Sequence, residues 1–269
     1  MTLERFFDLF EEELRLFPQL TNYHRFINNP KLYNFRKSYL VQRYQFMLSH
    51  ITKPGSVILD LGCGYGTTAL LLTMLGHKVY GITLEYYFDK IEKRLDYWSQ
   101  YGDISSLKIE YRDFFDLEES AQYDYVLAID TLHHIEPFPV AALKLHNLLL
   151  PGGKLVVSEE NGNNLIAQMK HFRERGFKRI SKYYDERLQK EIVFGNENTR
   201  SLKAWRKQFL KTPFKIDEDS VEYIRFYMPK KHRLMENSAL IEKEHKLWKK
   251  NAFYREYFFF GFNFVMSKE

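Results

Sequence analysis

The stretch Val57-Ile58-Leu59-Asp60-Leu61-Gly62-Cys63-Gly64-Tyr65-Gly66 constrains the fold more than any other part of the chain. A β-branched apolar run of this kind is buried on both faces in a parallel sheet, and Pro54-Gly55-Ser56 supplies the turn before it. Asp60 stands at the strand's carboxyl end, and Gly62, Gly64 and Gly66 let the backbone turn sharply and approach a ligand with no Cβ in the way. A helix is expected over 67–75, closed by Gly76, with its first N–H groups directed back at the loop. Strand, glycine turn and helix together read as a cofactor loop.

The spacing is G-x-G-x-G, not the G-x-G-x-x-G of dinucleotide folds, and no G-K-[ST] follows for a phosphate loop. With an acid two residues before the first glycine, the pattern resembles motif I of the class I S-adenosylmethionine-dependent methyltransferases. The resemblance covers roughly residues 50–160, with the terminal strands matched more loosely. It implies an α/β fold with a doubly wound, mostly parallel seven-stranded sheet whose last strand is antiparallel. It also implies S-adenosyl-L-methionine as cofactor, S-adenosyl-L-homocysteine as product, and cofactor contacts from Asp60, Gly62, Cys63, Gly64 and Gly66.

The following segments keep the family's order. His77 to Glu85 reads as a second strand, at whose end the family usually carries an acid for the ribose hydroxyls; here that position falls on Thr83, with Leu84 between it and Glu85. Either Glu85 reaches the ribose or the contacts come from Thr83 and the backbone. The same Gly81-Ile82-Thr83-Leu84 resembles the second strand of cyclopropane fatty acid synthases and related lipid-modifying enzymes, where the pair packs on adenosine. A helix is expected from about Tyr86 to Tyr101, then a third strand over Leu107–Tyr111 that closes with Asp113-Phe114. The resemblance assigns this pair to adenine, and places Ile129, at the end of a fourth strand over 123–130, beside the cofactor.

Thr131-Leu132-His133-His134-Ile135-Glu136-Pro137 leaves the fourth strand at the edge where doubly wound sheets bind ligands. An ordinary imidazole takes a proton near neutral pH, so His133 and His134 are candidate general bases. Adjacent residues point in different directions, so at most one faces an acceptor. A helix over 140–150, a Pro151-Gly152-Gly153 turn and a fifth strand over 154–158 bring Glu159, Glu160 and Asn161 to the same edge, with Glu159 the candidate partner of a histidine. Oxygen ligands here, with Asp130, would suit magnesium, but the motif is not that of the metal-dependent catechol enzymes, and no metal is expected.

Outside this core the chain is expected to carry a helical N-terminal cap over 1–50, acting as a lid or as plain packing, on a domain spanning 51–269. Helical insertions are expected at about 163–197 and 230–252, a helix over 200–211, a sixth strand over Ser220–Tyr227 and a final strand over Tyr257–Ser267. Residues 163–255 hold 23 Lys and Arg against 12 Asp and Glu, whereas the remainder holds 17 against 23. That basic region invites an anionic acceptor, an anionic bilayer contacted peripherally, or nucleic acid.

The leading expectation is methyl transfer to an oxygen or nitrogen of a small-molecule or lipid-like acceptor. A nucleic-acid methyltransferase is the alternative, weakened because Asp130-Thr131-Leu132-His133 is not the Asn/Asp-Pro-Pro-Tyr/Phe of base amino methylation and because Cys63, the only cysteine, lies in the cofactor loop. A non-catalytic cofactor-binding protein is the third reading. One cysteine excludes internal disulfides and zinc–thiolate clusters and fits a reducing, cytoplasmic setting. No secretory signal is expected at the start, and no apolar run approaches a membrane span of about 20 residues.

Overall fold

The computed structural model describes residues 1–25, 27–85 and 88–269. The chain divides into two compact units, residues 1–113 with 227–241 and residues 114–226 with 242–269.

The first unit opens with α1 (Leu3–Leu16), α2 (Pro18–His24) and α3 (Tyr33–His50). Pro18 stops α1 because it lacks an N–H, and it starts α2 at the position where that N–H is not needed. Steps of three and four place the apolar residues of α1 on one side: Phe6, Phe7, Phe10 and Leu14 are buried, and Phe6 stacks on Trp98 with ring centroids 4.8 Å apart. Next come β1 (Val57–Leu61), α4 (Thr67–Met74), β2 (Lys78–Thr83), α5 (Ile91–Ser99) and β3 (Leu107–Tyr111), with β1–β2 and β2–β3 paired in parallel. The helix expected from Tyr86 begins later, with a short 3-10 turn at Phe88–Lys90 before α5; Tyr86 itself lies outside the described residues.

The second unit carries β4 (Tyr123–Ile129), α6 (Phe138–Leu148), β5 (Leu149–Glu160), α7 (Leu165–Arg175), β6 (Ile180–Asp185), β7 (Lys190–Gly195), α8 (Leu202–Phe209) and β8 (Phe214–Ile224). The short α9 (Pro229–His232) belongs to the first unit; α10 (Asn237–Lys250), α11 (Ala252–Phe258) and β9 (Gly261–Lys268) complete the chain. Strand order is β3-β2-β1-β4-β5-β9-β8, and β9 runs antiparallel to both β5 and β8, as expected for this sheet. Lying between two neighbours, β9 is apolar on both faces: Phe262, Phe264 and Val265 are fully buried.

Several expected boundaries are corrected. The insertion over 163–197 is helical only through α7; the rest is an antiparallel hairpin, β6–β7. Gly176, at φ 62°, ends α7, and Tyr183, Tyr184, Ile192, Val193 and Phe194 favour an extended chain. Asp185 turns the hairpin by accepting from the N–H groups of Arg187 and Leu188 at 3.0 and 2.9 Å. Pro151-Gly152-Gly153 is not a free turn but lies inside β5, at an irregularity opposite Tyr123 and Tyr125. β8 starts at Phe214 and not at Ser220, and Tyr257 and Phe258 end α11, so the last strand begins only at Gly261. None of the described helices is long and apolar enough to cross a membrane.

Candidate active site

In the first unit the glycine loop has the conformation its residues permit. Gly62, Gly64 and Gly66 all take left-handed backbone, with φ of 69°, 53° and 76°, which a side chain would strain. Cys63 donates its N–H to the Ile82 carbonyl at 3.0 Å, and burial pushes its thiol well above the usual range. Asp60 is buried, and its Oδ2 has no hydrogen-bond partner among the described residues. Burial, opposed by the Ala69 N–H, raises the Asp60 carboxyl to about 7.

The loop is held from two sides. Arg94 of α5 is fully buried: it donates to Glu13 of α1 at 2.7 and 2.8 Å, to the Tyr65 carbonyl at 2.6 Å and to the Thr67 hydroxyl at 2.7 Å. From α2, the Tyr23 hydroxyl would sit 2.7 Å from a Cβ placed on Gly64, and His24 Nε2 lies 3.3 Å from the Thr67 hydroxyl. Burial and the charges of Arg94 and Arg36 lower His24 to about 3, so it is neutral. At the end of β2, the buried Thr83 hydroxyl accepts from the Glu85 N–H at 3.0 Å, bending the chain through Leu84 and leaving Glu85 partly exposed. Asp113 follows β3 and is buried. A cradle that excludes Cβ atoms, a buried carboxylate oxygen without a partner and a partly exposed acid after β2 fit the methionine, amino and ribose groups of the expected cofactor.

In the second unit, β4 ends in Ile129 and Asp130, and a 3-10 turn at Leu132–His134 follows. Phe114 is buried in a separate 3-10 turn, Phe114–Asp116. Glu159, fully buried at the end of β5, shapes the histidine turn. It accepts from the N–H groups of Thr131 at 3.0 Å and Leu132 at 2.6 Å, and its second oxygen lies 2.6 Å from His133 Nδ1. Burial alone would lower His133, but the Glu159 carboxylate outweighs it and holds the imidazolium to about 9. His134 differs: the packing around its ring and the neighbouring His133 lower it, the residue as a whole reaches solvent, and its Nδ1 faces the Gly195 carbonyl at 2.9 Å. Its Nδ1–H therefore donates to that carbonyl, leaving Nε2 with the lone pair. Of the two candidate bases, His134 is accessible and neutral, and His133 is clamped.

Three residues around this turn were not foreseen. His171 of α7 is buried, its Nε2 3.1 Å from Glu160. Glu160 is held down to about 2: burial opposes this, but the hydrogen bond from His171 and the charge of Arg225 prevail. Glu197, after β7, points its Oε2 between His171 Nδ1 at 3.6 Å and His133 Nε2 at 3.9 Å. Arg225, half-buried just after β8, lies within the fields of Glu160, Asp130 and Glu244. Asp130, Glu197 and Arg225 have φ of 48°, 50° and 66°, left-handed conformations that cost non-glycine residues of order 1–3 kcal/mol each and concentrate at functional sites. Asn161, expected at the same edge, caps the carboxyl end of α11, donating to the carbonyls of Glu256 at 2.9 Å and Phe259 at 3.0 Å.

The hairpin is locked to the histidine turn. Ile135 bridges Phe194, and a Cβ on Gly195 would fall 1.9 Å from the His133 carbonyl oxygen, so only glycine fits there. Glu136 completes the joint by accepting from Asn198 at 2.6 Å and Arg200 at 2.5 Å.

Comparison with known proteins agrees with this architecture. Ubiquinone biosynthesis O-methyltransferase from Rickettsia bellii is 29% identical over 129 residues, 47% of this chain and 50% of that protein. The enzyme of the same name from Xanthomonas campestris is 28% identical over 124 residues, 44% and 49%. The chain thus spans about half the length of the curated relatives it matches. A solved S-adenosylmethionine-dependent methyltransferase from Listeria monocytogenes, itself of inferred function, superposes with a TM-score of 0.55 at 18% identity, covering 84% of this chain and 96% of that one. Phosphoethanolamine N-methyltransferase 2 from Haemonchus contortus, solved with S-adenosyl-L-methionine, gives 0.55 at 18%, covering 85% and 52%. These likenesses show a shared fold. The sequence pattern of one family, described as a methyltransferase domain, matches residues 33–214, and the chain belongs to that family.

Proposed function

We propose that this protein transfers a methyl group from S-adenosyl-L-methionine to an oxygen or nitrogen of a small-molecule, lipid-like acceptor. The observation that carries the reading is the histidine turn at the carboxyl end of β4, where one imidazole is buried against Glu159 and the next is exposed and neutral. When bound, the cofactor supplies an electrophilic methyl on a sulfonium. Asp60, the glycine loop, Glu85, Asp113, Phe114 and Ile129 are the residues proposed to hold it. His134 Nε2 is proposed to take the acceptor's proton as the new bond to carbon forms, and Glu159 to fix the turn through His133.

The surface beyond the histidines supports an apolar acceptor. Leu165, Ile166, Met169 and Phe172 of α7 are 45–54% exposed, and Phe177 is 90% exposed, among Lys170, Arg173, Arg175 and Lys178. An exposed apolar stripe edged by cations suits a hydrophobic acceptor with an anionic group, or one drawn from an anionic bilayer. The similar O-methyltransferases of ubiquinone biosynthesis favour oxygen as the acceptor atom. A cytoplasmic setting is part of the same proposal.

Calorimetric titration with S-adenosyl-L-methionine and S-adenosyl-L-homocysteine, with Gly64→Arg as control, tests the cofactor. Binding lost in the variant supports the reading; folded wild type that binds neither compound overturns it. Hydroxylated aromatic and isoprenoid compounds then form the acceptor panel.

A further inference from the structure

We propose that the histidine turn and the loop after β7 hold a divalent transition-metal ion, ligated by His133 Nε2, His134 Nε2 and the Glu197 carboxylate. The proposal rests on the methyltransferase reading for its role, but the site stands on geometry alone. One donor atom from each of these residues lies within 4.8 Å of the other two. Each imidazole has its other nitrogen already fixed: His133 Nδ1 by Glu159 at 2.6 Å, His134 Nδ1 by the Gly195 carbonyl at 2.9 Å. A carboxylate or backbone carbonyl on the far nitrogen is how metal-binding histidines are oriented; His134 presents its Nε2 lone pair directly, and at His133 the ion takes the place of the Nε2 proton.

The distances between donors point the same way. His133 Nε2 and Glu197 Oε2 are 3.9 Å apart, too far for a hydrogen bond. Two donors each about 2.0–2.2 Å from one ion stand about 3–3.5 Å apart, so this pair closes on an ion with a contraction of less than about 1 Å, and the three donors together already lie within 4.8 Å. A second observation is independent of the first. His171 Nδ1 is buried, has no hydrogen-bond partner among the described residues, and faces the same Glu197 oxygen from 3.6 Å, while Glu160 fixes its Nε2. Glu197 is thus approached by two imidazoles that do not reach it, on a backbone held left-handed at φ 50°. His171 is the residue placed to hold the carboxylate once it turns toward an ion.

The oxygen ligands considered from the sequence, Glu159, Glu160 and Asn161 with Asp130, do not match the motif of the metal-dependent catechol enzymes, and no metal is expected from it. Folding instead assembles two imidazoles and one carboxylate, a borderline donor set suited to Zn2+, Mn2+, Fe2+ or Co2+ and leaving coordination positions open. A bound ion would lower the pKa of an acceptor hydroxyl held there, so that its proton could pass to water at neutral pH. In that form His134 would act as a ligand in place of the base role proposed above.

The test uses the full chain after treatment with chelator. Zn2+ is titrated calorimetrically, and Co2+ is followed by its visible absorption, which reports nitrogen and oxygen coordination. Glu197→Gln and His134→Asn are compared with wild type, and S-adenosyl-L-methionine affinity serves as the check that each variant is folded. The expected result is one ion per chain, with affinity falling by about tenfold or more in each variant while cofactor binding is retained. His171→Asn should weaken the ion less than either ligand change.

Wild type that binds the cofactor but neither ion overturns the metal proposal and leaves methyl transfer with His134 as base. Ion binding unchanged in both variants also overturns it. Ion binding without cofactor binding supports the site and overturns the methyltransferase reading.

Discussion

Replacing Arg94 by Met removes a buried guanidinium of similar length, and its cost can be worked from the contacts. Arg94 makes two charge-assisted bonds to Glu13, at 2.7 and 2.8 Å, and both side chains are essentially inaccessible. Left alone, Glu13 is an uncompensated buried charge, for which the expected loss is about 3–5 kcal/mol. The bonds to the Tyr65 carbonyl and Thr67 hydroxyl disappear as well, so the glycine loop loses its inner support. Urea unfolding at pH 7 should show the full loss, and calorimetry should show weaker cofactor binding. Changing both partners, with Glu13→Leu added, removes the stranded charge. Stability should recover to within about 1 kcal/mol of wild type, whereas cofactor affinity should stay low because Tyr65 and Thr67 remain unsupported. An Arg94→Met loss below about 1 kcal/mol, or a double variant whose loss equals the sum of the two single losses, would refute the argument.

Further outcomes follow from the same geometry. Burial raises Asp60 from 3.8 to about 7, so stability present below pH 4 is lost as pH rises through 7. At about 1.4 kcal/mol per unit this is about 4 kcal/mol, and Asp60→Asn should escape it; a wild-type minus variant difference that stays flat from pH 4 to 7 would contradict this. Gly66→Ala puts a methyl 2.5 Å from Ile109 Cδ1 at a φ of 76°, and should cost about 1–3 kcal/mol by denaturant unfolding together with cofactor binding. His134→Ala should lower kcat by about 10²–10⁴ while leaving cofactor affinity intact; unchanged turnover would remove His134 from the reaction under either scheme above. Gly195→Ala should disrupt the hairpin's seat on the His133 carbonyl, and an unaltered near-ultraviolet spectrum with full activity would show that the contact is dispensable.

The parallel core was readable because each step has a local cause: apolar runs bounded by Gly and Pro, a helix after the glycine turn, and acids at strand ends. β3 matches its expected span, β1 runs one residue past the Asp60 expected to end it, and Glu159 does meet His133. The hairpin was missed because its aromatic and β-branched residues also fall at spacings compatible with a helix, so the period alone did not decide. Glu197, His171 and Arg225 carry no local signal at all. They reach the histidine turn from a loop, a helix and a strand end, and the left-handed backbone of Glu197 and Arg225 has no sequence mark when glycine is absent.

The seam between the hairpin and the histidine turn bears on how this protein can be altered. Because Gly195 abuts the His133 carbonyl, supports His134 and is followed two residues later by Glu197, the segment proposed to frame the acceptor also sets the direction of the His134 ring. Grafting a hairpin from a relative would therefore transplant that direction along with the segment. Specificity and turnover are geared together, and substitutions that broaden acceptor choice without slowing the reaction belong on the outward face of α7, away from that seam.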